Sequence, residues 1–381
     1  AHLRSMPAPG QFEILAVDPA SRARRGRLHT AHGVVETPVF MPVGTRGAVK
    51  AVSPLELREL GAQILLGNTY HLHVRPGAEV IEACGGLHRF MGWDGAILTD
   101  SGGYQVHSLA GIRTIRREGV EFASHVDGSR IFLGPREAMD LQRRLGSDIA
   151  MTLDECVPHP CARNYACQSV EQTLAWAALC AEQPRAAGQL VFGIVQGSEF
   201  ADLRERCARE LVAIGFDGYA IGGVSVGEPP ETLRRAVELS VAPLPPERPR
   251  YLMGVGRWNQ LLEAIADGVD MFDCVMPTRF GRNGTAFTKT GRFPVKAAAY
   301  KSDPRPIEEG CECYACRHFS RAYIRHLLNV NEIMGIRLMT VHNLHRYLEF
   351  MREVRAALEA GAFAELRREY AARAAADSAA A

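Results

Sequence analysis

Short apolar runs recur along the chain, and longer stretches with a helical period of apolar residues separate them. Each run holds about four to six residues without alternation, which is typical of parallel strands buried on both faces. The runs predict strands at 38–43, 63–66, 96–99, 148–153, 190–195, 219–222, 251–254 and 271–275.

Amphipathic stretches lie between most of these runs. They predict helices at 135–145, 170–187, 202–214, 231–241 and 258–266. Eight strands with intervening helices favour an α/β protein built on a closed (β/α)8 barrel, the TIM barrel, over an open doubly wound sheet. The open sheet is disfavoured further because no G-x-G-x-x-G turn follows the first predicted strand.

The chain is expected to divide into segments of different character. In order, these are a flexible start at 1–11, the barrel at 12–279, a subdomain at 280–350 that contains the motif Cys311-x-Cys313-x2-Cys316, a C-terminal helical segment at 343–373 and a flexible tail at 374–381. AHLRS, which precedes Met6, is interpreted as a cloning remnant. The barrel carries an N-terminal addition and a β-hairpin insertion near 105–133, where GVEFASHVDG alternates.

Positive charge is concentrated in one part of the chain. The net charge is only +1, so the chain as a whole has no general affinity for nucleic acid. Phosphate binding requires clustered cations. One such strip exists, in which a single acid, Asp303, accompanies Arg279, Arg282, Lys289, Arg292, Lys296, Lys301 and Arg305.

Cysteine usage and hydropathy favour a cytoplasmic protein without a membrane partner. The ten cysteines are spread over a long chain that shows no secretory signal and no apolar run long enough to span a bilayer. Three of them form Cys311-x-Cys313-x2-Cys316, and His342 follows downstream. This spacing is typical of a zinc site, and four protein ligands leave no open position for catalysis, so the zinc is expected to be structural.

Polar or glycine-rich residues lie at the ends of six of the predicted strands. In a barrel, reactive residues belong at the carboxyl ends of the strands, where the loops meet. Each residue alone has an ordinary explanation as a turn or cap residue, but their convergence on one face favours a ligand site. In chain order they are Asp100, Ser101, Gly102 and Gly103, then Asp154, Glu155 and Cys156, then Gln196, Gly222, Gly223, Met253 and Asp273.

The types of these residues suit a purine bound to a sugar. A carboxylate such as Asp154 can accept two hydrogens from the edge of guanine, while Gln196 and a backbone N–H near Gly223 can donate to its carbonyl oxygen. Tyr104 and Met253 can sandwich a flat ring. Two carboxylates, Asp100 and Asp273, are then left for acid/base and nucleophilic roles at a glycosidic carbon.

The motifs resemble the queuine/archaeosine tRNA-ribosyltransferase family, and within it the bacterial tRNA-guanine transglycosylases. The resemblance runs from about residue 12 to 350 through LTDSGGYQ, MTLDEC, VFGIVQG, YAIGGVSVGE, YLMGVG and DMFDCVMPTRFGRNGTAFT. It implies a zinc-bearing barrel that exchanges guanine at the first anticodon position of tRNA with a GUN anticodon for 7-aminomethyl-7-deazaguanine. Cys156 and Val226 match the bacterial pattern, whereas Val224 and Ser225 depart from it.

The resemblance also implies roles for individual residues. Asp273 would be the nucleophile and Asp100 the general acid/base, and the carbonyl group of Val224 would face the aminomethyl cation. The strip that contacts tRNA would comprise Gly254, Val255, Gly256, Arg257, Trp258, Asn259, Gln260, Thr278, Arg279, Phe280, Gly281 and Arg282. A homodimer would form around the zinc region, with Tyr323, His326 and Lys50 at the contact.

Three other functions stay open at this point. One is a related base exchange with a preference for queuine. Another is a hydrolytic barrel enzyme such as a nucleosidase or deaminase, which needs an activated water, usually at a histidine-rich metal centre. The third is a non-catalytic protein that binds RNA through its zinc segment, for which carboxylates gathered near phosphate would be unfavourable.

Overall fold

The protein, described here by a computed structural model over residues 7–103, 113–124 and 126–380, is built around a parallel β-barrel. In the described residues its strands are Val39–Met41 with Val43–Gly44, then Ile64–Gly67, Ala96–Thr99, Ile149–Met151, Leu190–Val195, Gly218–Ile221, Arg250–Leu252 and Met271–Asp273. We number them one to eight in that order. The predicted (β/α)8 barrel and each of its predicted strands are confirmed.

The barrel closes through its first strand, which Pro42 interrupts. Val39–Met41 pairs with the eighth strand, and Val43–Gly44 pairs with the second. The Pro42 carbonyl accepts a hydrogen bond from the Leu66 amide at 3.0 Å, which joins the two halves. Because proline has no N–H, it fits where the ladder passes from one neighbour to the other.

Alternate residues of the strands fill the barrel interior. On the second strand Ile64 and Leu66 belong to the interior cluster, whereas Leu65 packs outward against the helices. Apolar side chains are needed on both faces of each strand, which explains the unalternated apolar runs of the sequence. Tyr251, on the seventh strand, belongs to the same interior cluster.

Helices surround the barrel, and most follow a strand directly. Their bounds are Pro54–Glu59, Thr69–Val74, Ala78–Ala83, Leu87–Met91, Pro135–Leu145, Arg163–Ala181, Ala201–Ile214, Pro230–Val241, Trp258–Ala266 and Met276–Arg282. Pro135–Leu145 has local start and stop signals. Proline occupies its first turn, the Glu137 carboxylate accepts from the Gly134 amide, and the left-handed Gly146 (φ 71°) ends it.

Two antiparallel sheets are added to the barrel. The N-terminal sheet comprises Phe12–Val17, Arg24–Thr30 and Gly33–Thr37. The insertion expected as a hairpin contains three strands in the described residues, Arg113–Ile115, Val120–Ala123 and Arg130–Leu133, with the middle strand paired to both others. The alternating motif GVEFASHVDG supplies only its central strand and the turn after it.

The first part of the segment after the barrel, from Ala286 to Met339, has a core of its own, whereas the rest of the segment packs against the barrel. The whole segment comprises strands Thr285–Thr288 and Gly291–Pro294, a short 3₁₀ helix Ala298–Tyr300, and helices Tyr314–His318, Arg321–Asn329, Ile333–Glu359 and Phe363–Ala380. The helical pattern expected at 343–373 therefore corresponds to two helices. Among the described helices, none combines the length and the apolar character that crossing a membrane requires.

Candidate functional site

Asp273 is the last residue of the eighth strand, and groups on and just after the seventh strand donate hydrogen bonds to its carboxylate. Its Oδ1 accepts hydrogen bonds from the hydroxyl of Tyr251 at 2.6 Å and from the backbone amide of Gly254 at 3.0 Å. Burial raises the pKa of Asp273, while these two donors pull it back down. Asp273 is thus held in one orientation and is only half-buried. A group that contacts a ligand needs both properties.

Asp100 directly follows the third strand, and two residues that follow the second strand donate hydrogen bonds to its carboxylate. The side-chain amide of Asn68 donates to Oδ2 at 2.6 Å, and the backbone amide of Thr69 donates to Oδ1 at 3.0 Å. Burial raises the pKa of Tyr251 well above its usual value, and the negative charges of Asp273 and Asp100 raise it further. One phenol therefore lies within the field of both carboxylates.

A carboxylate–amide pair, Asp154 and Gln196, follows the fourth and fifth strands and is more deeply enclosed. Oδ2 of Asp154, which is 8% exposed, accepts a hydrogen bond from Nε2 of Gln196 at 2.6 Å. Burial raises the pKa of Asp154 to about 6, and the charge of Glu155 adds to the effect. A Cβ atom at Gly103 would lie 2.8 Å from the Asp154 carbonyl oxygen, so only glycine allows this close approach.

The loop after the sixth strand is fixed by side chains. The carboxylate of Glu228 accepts from the backbone amides of Ser225 and Val226. Ser225 adopts a left-handed conformation (φ 61°), and its hydroxyl donates to the Gly254 carbonyl at 3.1 Å. The sixth-strand loop is therefore connected to the backbone that holds Asp273.

The structure brings most of the other expected base-site residues to the same end of the barrel. Ser101, Cys156 and Val224 are buried, and Met253 is half-buried. Gly102 and Gly103 follow Asp100, and Gly222 and Gly223 pack against Gln196. Tyr104 lies outside the described residues.

The residues expected to contact RNA fall into two groups. Gly254, Arg257, Asn259 and Arg279 are exposed, and Gln260, Phe280 and Arg282 are half-buried. Val255, Gly256, Thr278 and Gly281 are buried instead, and Trp258 packs against Tyr347 and Phe350. Only the first group presents polar surface to a large ligand.

Gly281 shows why residues of the second group are buried and do not face a ligand. A Cβ atom there would lie 3.1 Å from the Thr340 backbone amide, so the glycine allows helix Met276–Arg282 to pack against helix Ile333–Glu359. The hydroxyl of Thr278 donates to the Val275 carbonyl at 3.2 Å and so faces its own helix.

Three cysteines and one histidine form a compact cluster in the C-terminal part of the structure. The sulfur atoms of Cys311, Cys313 and Cys316 lie 3.7, 3.6 and 3.3 Å from Nδ1 of His342. The other ring nitrogen, Nε2, donates to the Phe287 carbonyl at 2.7 Å, which leaves Nδ1 free to bind a metal. The cluster can hold one metal ion and joins three separate elements.

Several groups that build this site were missed by sequence reasoning. Tyr251 was counted only as a strand residue, and Asn68, Thr69 and Glu228 were not singled out. A signal existed for Asn68, because it lies two residues after the second predicted strand, close to the position that Asp100 occupies after the third. No comparable signal existed for Tyr251, since its direction depends on how the barrel closes.

Comparisons with known proteins cover nearly the whole chain. The family described as Queuine tRNA-ribosyltransferase matches residues 18–376. A relative of that name from Symbiobacterium thermophilum is 56% identical over 361 residues, which cover 94% of this chain and 90% of the relative. Relatives of the same name from Pelotomaculum thermopropionicum and Desulforamulus reducens are 54% and 51% identical, over 94% and 95% of this chain and 97% and 98% of their own lengths.

Proposed function

This chain belongs to the queuine tRNA-ribosyltransferase family and is a pentosyltransferase, and we propose that it replaces guanine at the wobble position of tRNA with a GUN anticodon by 7-aminomethyl-7-deazaguanine. The observation that carries the proposal is the separation of two carboxylate sets at one end of the barrel. Asp273 and Asp100 flank Tyr251, while Asp154 pairs with an amide, Gln196. Asp273 and Asp100 suit a reaction at a sugar carbon, whereas Asp154 and Gln196 suit recognition of the edge of a purine.

Base recognition is assigned to Asp154 and its surroundings. When ionised, Asp154 accepts from the ring N–H and the exocyclic amine of the base, taking the place of the hydrogen bond from Gln196. The freed Gln196 amide and the Gly223 backbone amide then donate to the base carbonyl. Met253 contributes one wall of the pocket, and the Val224 carbonyl accepts from the aminomethyl cation.

The exchange proceeds by two displacements at the anomeric carbon. Asp273 attacks this carbon, a carbon–oxygen bond forms, and the bond to guanine breaks while Asp100 supplies the proton that the departing base takes up. The incoming base then gives its proton to Asp100 and attacks the same carbon, which releases Asp273. Two inversions retain the anomeric configuration, as in retaining glycosidases.

The metal cluster is assigned to structural zinc. Zinc bonds of about 2.3 Å to sulfur and about 2.0 Å to nitrogen place tetrahedral ligand atoms about 3.5 Å apart. The distances of 3.3 to 3.7 Å around His342 fit this geometry. Zinc held by Cys311, Cys313, Cys316 and His342 would fasten the strand that carries Phe287 to the long helix.

Transfer RNA and a second copy of the chain are the proposed partners. Arg257, Arg279 and Arg282 supply the cationic surface near the site. The homodimer proposal is supported by Tyr323, which is 40% exposed and stacks on Phe319 with ring centroids 5.5 Å apart. Such exposed aromatic surface is typical of interfaces.

Exchange of radiolabelled guanine into tRNA with a GUN anticodon tests the function. We expect incorporation that 7-aminomethyl-7-deazaguanine suppresses, and weaker suppression by queuine. Release of free guanine without incorporation would indicate a hydrolytic nucleosidase instead. Binding of tRNA with neither reaction would indicate a non-catalytic RNA-binding protein.

A further inference from the structure

Arg204 is a fully buried arginine beneath the ends of the fifth and sixth strands. It lies on helix Ala201–Ile214, and its guanidinium donates to the carbonyl groups of Ser198 at 2.7 Å, Gly222 at 2.7 Å and Gly223 at 3.1 Å. Within the described ranges, no carboxylate forms an ion pair with it. Burial lowers the pKa of Arg204 to about 10, which leaves it cationic at neutral pH.

A buried cation without an ion-pair partner is costly, so packing alone is a weak reason for it. The carbonyls that it binds belong to backbone in uncommon conformations. Ser198 is left-handed (φ 52°), and so is Gly223 (φ 63°). The guanidinium therefore fixes two strand ends that would otherwise have several accessible conformations.

Because the peptide bond is planar, the hydrogen bond from Arg204 to the Gly222 carbonyl also sets the direction of the Gly223 N–H. In a trans peptide the C=O and the following N–H point in opposite directions. Because Arg204 holds the Gly222 carbonyl, the Gly223 amide must point away from the guanidinium. Both glycines pack against Gln196, and Gln196 contacts Asp154, so this peptide borders the base pocket.

We propose that Arg204 is a positioning residue that orients and polarises the Gly222–Gly223 peptide so that the Gly223 amide donates strongly to the carbonyl oxygen of the purine. A cation bonded to the carbonyl end of a peptide strengthens its N–H as a donor. When the glycosidic bond breaks, the electron pair passes to the base and negative charge develops on this oxygen. A pre-oriented donor stabilises that charge.

The inference rests on the proposed base exchange and is tested by comparing three bases. 6-Thioguanine keeps the ring N–H and the amine of guanine but has sulfur, a weaker acceptor, in place of the carbonyl oxygen. Hypoxanthine keeps the carbonyl and lacks the amine, so it reports on Asp154. For Arg204→Met, we expect the preference for guanine over 6-thioguanine to fall about tenfold in both base affinity and kcat/KM of exchange. The preference over hypoxanthine should stay as in the wild type.

Arg204→Lys and a second buried arginine serve as comparisons. The lysine variant keeps the charge but reaches fewer carbonyls, and we expect it to lose about threefold of the preference over 6-thioguanine. Arg250 is also buried and donates to the Leu244 and Gly268 carbonyls, at the opposite end of the barrel. Arg250→Met should lower the thermal midpoint and leave both base preferences unchanged.

Two results would overturn the inference. One is an equal loss of both preferences in Arg204→Met, which is the result of a generally disordered pocket. The other is an unchanged preference over 6-thioguanine in a folded variant. If Arg204→Met does not fold, the same comparison on Arg204→Lys decides. Wild-type protein that exchanges no guanine refutes the proposed function itself, which is a distinguishable outcome.

Discussion

The hydroxyl group of Tyr251 donates a 2.6 Å hydrogen bond to Oδ1 of Asp273 on the adjacent strand. The phenol is buried inside the barrel, and its pKa lies well above the usual value, so it stays protonated and keeps the hydrogen that it donates. It stabilises the ionised form of a carboxylate whose pKa is raised by burial. The proposed nucleophile, Asp273, is thus kept ionised in part by a hydrogen bond from a tyrosine in the barrel interior.

Tyr251→Phe should therefore weaken exchange and shift its pH dependence. Loss of a hydrogen bond to a charged group is expected to lower kcat by about tenfold or more. Without this donor the pKa of Asp273 rises further, so the acid limb of the pH–rate profile should move to higher pH. Tyr219→Phe is the control, because Tyr219 is buried on the sixth strand and its hydroxyl accepts from the Phe216 amide. An acid limb at the wild-type position in Tyr251→Phe would contradict the assignment.

Asp273→Asn tests the nucleophile itself. An amide is a poor nucleophile, so exchange should fall by at least about a thousandfold and no covalent complex with tRNA should form. Denaturing gels of enzyme, tRNA and a trapping base analogue report the complex as a shifted band. The variant should still bind free base, because Asp154 is unchanged. A shifted band that persists would assign the nucleophile to another group, with Asp100 the first to test.

Base affinity should depend on the ionisation of Asp154. Burial raises the pKa of Asp154 to about 6, and the ionised form is the one that accepts both donors of the base. As pH falls through about 6 the carboxylate gains a proton, so affinity for guanine should fall. Asp154→Asn should bind weakly, with a loss of roughly 1–3 kcal/mol per unpaired donor, and without this pH dependence. Calorimetric titration between pH 5 and 8 checks both points, and a variant with wild-type affinity would falsify the role.

The metal site predicts a structural rather than a catalytic effect. Metal analysis should find about one zinc per chain, and Cys316→Ala should lose it. Loss of a structural metal is among the large destabilising changes, so a drop in the thermal midpoint on the order of 10 °C is expected. Cys84→Ala is the control, since Cys84 is exposed and lies outside the cluster. Chelation that stops exchange at once but leaves the melting curve unchanged would contradict a structural zinc.

The barrel and the residues at its strand ends were predictable because they depend on local pattern. Unalternated apolar runs predicted each barrel strand. Once the strands are predicted, the residues at their ends can be read directly from the sequence. Asp100 and Asp273 could be paired in this way from the amino-acid sequence alone. Their supports could not, since Tyr251 is a strand residue whose direction is set by the closed barrel.

Long-range packing accounts for the remaining differences. Arg204 lies in an amphipathic helix, where an arginine is ordinarily exposed, and only the approach of the sixth strand buries it. The family resemblance implied that Thr278 and Gly281 contact RNA. Gly281 instead packs against Thr340 of helix Ile333–Glu359, and this contact joins residues about sixty positions apart, which no local pattern reveals.

Arg279 and Arg282 are the two cations of helix Met276–Arg282 that are expected to contact tRNA, and their surroundings differ. Arg279 is exposed. Arg282 is half-buried, and both burial and the neighbouring charge of Arg279 lower its pKa. Because the positive charge of Arg279 adds to that of Arg282, a phosphate group is the expected ligand of Arg282, and the more exposed Arg279 is left to contact a base.

Salt dependence of tRNA affinity then distinguishes a phosphate contact from a base contact. Each lost phosphate contact should reduce the log–log salt slope by about 0.7 on a single strand. We expect Arg282→Ala to behave in this way, and Arg279→Ala to lose affinity at all salt concentrations and to tolerate altered bases beside the target guanine. Free-base affinity should be unchanged in both. Arg209→Ala is the control, because Arg209 is an exposed arginine paired with Glu205 on an outer helix. If both variants match this control, the RNA path lies elsewhere, and Arg257 becomes the first residue to test.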